Sequence, residues 1–113
     1  LLPKIIGIKR AKELALTNRK LSAEQALDWG LINEVVPADE LQAQALQLAT
    51  TLAQGATQAL GSVKSLFSSS HTQSLEGQMT LEAAAITKNI KSKDGKEGIQ
   101  AFLERRKPNF IGE

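Results

Sequence analysis

Apolar residues in this chain recur every three or four positions rather than every second one, and that period decides what the chain can fold into. Ile8, Ala11, Leu14 and Ala15 make one stripe, ending near Asn18. Leu41, Ala45, Leu48, Ala49 and Leu52 make the clearest one, behind a capping candidate at Asp39 and ahead of a stop at Gly55. Leu60, Val63, Leu66 and Phe67 continue the pattern over 56–68, although Gly61 weakens the middle of that helix. After a polar loop, "SSSHTQS", the stripe resumes at Leu75, Met79, Ala83, Ile86 and Ile90. "SKDGKEG" then reads as a turn feeding a last helix with Ile99, Phe102 and Leu103 inward, ended by Pro108.

"SAEQALDWG" carries its own boundaries. Ser22 with Gln25 three residues on is a capping box, and Gly30 suits the left-handed position that closes a helix, so a short helix is predicted from about Ala23 to Trp29. Only "LINEVVP" is β-branched and partly alternating, with "RKLS" as a candidate pairing partner. The expected fold class is mainly α, with about six helices and at most a very short β pair.

At 113 residues the chain has room for one domain with a modest core, and only 4% of it is aromatic. Six short helices with so few large rings bury little, so apolar surface is expected to meet another chain or a missing domain. A net charge of +2 is too small to make nucleic acid the default partner, since acidic Asp94, Glu97 and Glu104 dilute the basic residues near the end. The absence of cysteine excludes disulfides, thiolate nucleophiles and Cys-based zinc sites. Nowhere do roughly 18 apolar residues run uninterrupted, so no membrane span is expected and a cytoplasmic location is the reading. The start at Leu1, without an initiator methionine, reads as that of a fragment.

A catalytic site needs titratable residues that converge, and here they are scattered. His71 is the only histidine and lies in the serine-rich loop, which reads as a bystander rather than a metal ligand. Glu13, Glu24, Glu82 and Glu104 sit on helices beside Lys or polar neighbours, the pattern of solvated faces. Trp29 reads foremost as a packing plug and secondarily as a pocket wall. No catalytic or metal residue is assigned. The stretch "GIQAFLERRKPNF" differs, because on a helix Phe102 lies three and four residues from Arg105 and Arg106. A ring that stacks on a base beside a cation that reaches phosphate is the chemistry of an adenine nucleotide handle. The plainer alternative is an apolar stripe followed by a solvated basic helix end.

The stretches "LLPKIIGIKRAKELALTNRKLSAEQALDWGLINEVVPADEL" and "SKDGKEGIQAFLERRKPNFIGE" resemble the C-terminal part of the enoyl-CoA hydratase/isomerase, or crotonase, superfamily. The resemblance implies that residues 1–113 form the helical region that drives assembly into trimers or dimers of trimers and closes the CoA site. The ββα spiral domain, with its oxyanion hole and catalytic acids, would then lie upstream. It implies a coenzyme A thioester as substrate, no prosthetic group, and Phe102 and Arg105 as the residues meeting the adenine and phosphate end of CoA. Arg106 and Lys107 are secondary candidates. The implied activity of the parent is hydration of a 2-enoyl-CoA in fatty-acid or related degradation, with enoyl-CoA or epoxyacyl-CoA isomerisation as the alternative. A non-catalytic helical oligomerisation module is the reading from another class.

Overall fold

A computed structural model describes all residues, Leu1–Glu113, as seven α-helices without a strand. They are α1 (Leu2–Ile6), α2 (Ile8–Thr17), α3 (Ala23–Asp28), α4 (Leu41–Ala53), α5 (Thr57–Ser69), α6 (Leu75–Lys91) and α7 (Lys93–Leu103). Two compact units divide the chain, Leu1–Gln42 and Ala43–Glu113.

In the first unit α1 carries Pro3 in its first turn, where a fixed φ suits the helix, and it meets α2 across Gly7. Sequence periodicity missed α1, because five residues are too few to show a stripe. The unit's buried residues are Ile6, Ala11 and Ala26. The predicted capping box is present: Ser22 Oγ accepts from the Gln25 N–H at 3.2 Å, and Gln25 Oε1 accepts from the Ser22 N–H at 3.3 Å. Ser22→Ala removes one of these bonds and is expected to destabilise the unit by about 1 kcal/mol, read as faster amide exchange over α3.

The far end of α3 shows why even the very short β pair that the sequence allowed does not form. Gly30 takes a left-handed φ of 71°, its N–H bonds to Leu27 O, and the Leu31 N–H turns back to Ala26 O. This Schellman closure uses the first donor that "LINEVVP" would have offered to a ladder, and the segment runs on without a strand partner. Trp29, half-buried, is flanked by Arg10 and Arg19, whose guanidinium carbons stand 4.8 and 4.9 Å from its ring centre. Arg19 also pairs with Glu13 at 2.6 Å, so the tryptophan fastens α2 to the end of α3.

In the second unit α5 packs on α6 and α6 on α7. Ser62 Oγ reaches Asn89 Oδ1 at 3.3 Å and Ser69 Oγ reaches Gln78 Oε1 at 3.1 Å, tying α5 to α6 at two levels. The predicted turn at "SKDGKEG" is instead the beginning of α7. Ser92 alone separates α6 from α7: its hydroxyl donates to Asn89 O at 2.7 Å and accepts from the Gly95 N–H at 2.9 Å. Gly95 has to be glycine for this, since a Cβ there would stand 2.0 Å from Asn89 O. Both glycines that look like turn residues thus lie inside a helix, and Gly95 serves close contact there.

Burial is thin, as composition foretells. The buried apolar residues of the whole chain are Ile6, Ala11, Ala26 and Ala101, while Leu46, Leu48, Phe67, Met79 and Ile86 are exposed. The accessible surface is 9027 Å². A compact monomer of this mass exposes roughly 6,100 Å², and even two separate compact globules of these sizes only roughly 7,300 Å² together. Apolar faces are therefore left uncovered within the chain itself.

Candidate functional site

Helix α7 and the tail behind it form the most structured polar region of the chain. Ser92, Asp94 and Gly95 start the helix: the serine caps it, and Asp94 in the first turn meets the positive end of the helix dipole. Asp94 is also the one buried charged residue, 2% exposed. Its carboxylate accepts the N–H groups of Ile111 and Gly112, each at 2.8 Å, and its own N–H donates to Glu113 O at 2.8 Å. One turn on, Glu97 accepts the Asn109 N–H at 2.8 Å and both terminal nitrogens of Arg106 at 2.6 and 2.9 Å. Two carboxylates thus hold the tail back along its own helix, while the Phe110 ring lies on Gly98, 3.5 Å from where a Cβ would be.

The electrostatics follow from these contacts. Hydrogen bonds from Arg106, then from Asn109 N–H, hold the Glu97 carboxyl down at about 2. Glu104 is lowered by Gln100 and by Arg106, whose guanidinium is in turn held more firmly protonated by the two glutamates. Because the Glu97 value falls on folding, its contribution is full above the ordinary 4.5 and fades as pH drops toward about 2. The Asn109 amide shift is expected to report that loss with a midpoint near 2; a midpoint near 4.5 would rule the clamp out.

The helix ends earlier than Pro108. Arg105 adopts a left-handed φ of 55°, its N–H bonds to Phe102 O at 3.2 Å, and the Arg106 N–H turns back to Ala101 O at 3.0 Å. This is a Schellman closure with arginine at the position that glycine usually fills. Arg105 and Arg106 therefore do not continue the helix face of Phe102, and the two cations part. Arg106 is committed to Glu97 and Glu104, whereas the Arg105 guanidinium has no ion pair within the chain.

The expectation that Ile99, Phe102 and Leu103 point inward is overturned: all three are exposed, Phe102 at 83%. The buried side of α7 is Asp94 and Ala101, which follows from the close α6 contact at Gly95 and from the folded-back tail. Ile99, Phe102, Leu103 and Phe110 line a shallow apolar hollow of about 390 Å³ together with Ala56 and Gly98. Phe102 and Arg105 are thus both exposed at one helix end, the ring bare and the cation uncommitted. Lys107 is exposed as well and enters no ion pair, while Arg106 is paired with both Glu97 and Glu104. His71 stands exposed in the turn after α5, apart from any metal-binding cluster.

Sequence reasoning did not find the tail clamp. Its only signal is an acid at 94 and another at 97 ahead of an arginine at 106, which no periodicity singles out.

The enoyl-CoA hydratase/isomerase family pattern matches residues 1–113. The chain belongs to the enoyl-CoA hydratase/isomerase family. It is 43% identical over 112 residues to the 1,2-epoxyphenylacetyl-CoA isomerase of Escherichia coli K12, covering 99% of this chain and 43% of that protein. It is 33% identical to the carnitinyl-CoA dehydratase of Salmonella typhi, over 98% of this chain and 44% of the relative. The crystal structure of enoyl-CoA hydratase from Bacillus anthracis superposes with a TM-score of 0.90 at 38% identity, over 99% of this chain and 43% of that one. The chain therefore spans less than half the length of each of these relatives.

Proposed function

We propose that residues 1–113 are the C-terminal helical region of an acyl-CoA-processing enzyme, most simply an enoyl-CoA hydratase, and that the region serves assembly and closes part of the CoA site. Phe102 offers its face to the adenine, and Arg105 its guanidinium to a phosphate of the same nucleotide. The observation that carries this reading is an aromatic ring 83% exposed at a helix end beside an arginine with no ion pair. The uncovered apolar faces of α4, α5 and α6 support the assembly role: they fit a spiral domain and neighbouring protomers in a trimer.

Isomerisation is the second reading, and the 43% identity to an epoxyacyl-CoA isomerase favours it. Both readings use the same thioester handle, so one binding experiment tests them together. The affinity of the full-length polypeptide for CoA, measured by titration calorimetry, is expected to fall about tenfold in Phe102→Ala and in Arg105→Ala, the scale of one stacking or charge-assisted contact. Unchanged affinity in both variants would leave a helical oligomerisation module as the better account.

A further inference from the structure

We infer that Glu97 and Arg106 are a positioning pair for ligand binding: they fix the left-handed turn that turns Arg105 out toward the CoA phosphates, without touching the ligand themselves. The inference rests on the reading of Arg105 given above. Arg105 has a φ of 55°, a conformation that a residue with a Cβ adopts at a cost and glycine adopts freely. A charged, long side chain at such a place needs its flanks held. The residue after it supplies the hold: Arg106 is fixed by both oxygens of Glu97 at 2.6 and 2.9 Å and by Glu104 at 2.5 Å, while its N–H closes the turn on Ala101 O. Glu97 also takes the Asn109 N–H at 2.8 Å, so one carboxylate anchors the chain on the far side of the turn. Arg105 is thus the one arginine of the adjacent pair left free, and it is left free because its neighbour is occupied. A planar fork is required at 106, since only a guanidinium meets both oxygens of one carboxylate while reaching a second acid.

The test uses the full-length polypeptide and CoA as the probe, with thermal melting as a control. Glu97→Gln and Arg106→Gln are expected to weaken CoA binding about three- to tenfold, and Arg106→Lys, which keeps charge but not the fork, to weaken it less. In an Arg105→Ala background the same Glu97→Gln change is expected to cause no further loss, because the group it positions is gone. A general structural defect would add its loss in that background too. Full CoA affinity in Glu97→Gln and Arg106→Gln, or an additive loss in the double variant, overturns the positioning role while leaving Phe102 and Arg105 as contacts. An Arg105→Ala variant that binds CoA as the parent does overturns Arg105 as a contact and this inference together.

Discussion

Replacing Asp94 with alanine is expected to release the C-terminal tail. The carboxylate is 2% exposed and accepts two backbone N–H groups, at Ile111 and Gly112, each at 2.8 Å. Hydrogen bonds to a charged group contribute about 1.5–3 kcal/mol each, and here their loss leaves two backbone donors without an acceptor, so local destabilisation of about 3–5 kcal/mol is expected. That is a large part of the stability of a small domain. The change also removes the first-turn acid of α7, which adds to the effect through the helix dipole. Amide exchange at Ile111 and Gly112 should quicken by a hundredfold or more, and carboxypeptidase should trim the tail. Asp94→Asn keeps one acceptor oxygen and should fall between. Unaltered exchange at both amides in Asp94→Ala would show that the tail is held by the Lys93 to Glu113 ion pair and the Gln58 bond to Gly112 O instead.

Helices α2 to α6 were legible in the sequence because each carries its own boundary chemistry or stripe, whereas five-residue α1 carries neither. Ser22 with Gln25 fixed α3, and the apolar rows fixed α4, α5 and α6 to within a residue or two of their ends. What misled was context. Glycines in "SKDGKEG" look like a turn, yet Ser92 caps a helix through them and Gly95 lets α7 touch the Asn89 carbonyl. Ile99, Phe102 and Leu103 look like a core stripe, yet all three are exposed, so a pattern that signals burial marks an open surface here. Phe102 and Arg105 were legible as candidates from their residue types and from family resemblance. Their separation from Arg106 was not, since helical spacing assumed a helix that stops at Leu103, and a left-handed arginine is a choice no local propensity announces.

By itself the 113-residue chain is expected not to hydrate crotonyl-CoA at a detectable rate. Hydration of an enoyl thioester requires a proton donor and acceptor at the double bond and donors aimed at the developing enolate oxygen. The carboxyl groups whose proton affinity is shifted, Glu24, Glu97 and Glu104, are all shifted downward, the wrong direction for a residue that must deliver a proton near neutral pH. Both oxygens of Asp94 are already taken by backbone N–H groups, and His71 stands exposed in a turn with no acid beside it. On the proposed reading of these residues as a C-terminal helical region, the oxyanion donors are expected outside them. Losing a single such donor costs about a hundredfold or more, and losing acid–base assistance a further factor on the order of a hundred to ten thousand. Together these put turnover at least about ten-thousandfold below that of a complete enzyme, beneath ordinary detection by the absorbance of the enoyl thioester. A preparation whose intact mass excludes longer contaminants and that still consumes crotonyl-CoA would mean that the chemistry resides within these helices. Activity seen only in a longer polypeptide that includes a ββα spiral domain would instead divide the labour, with bond-making outside these helices and the nucleotide held by α7.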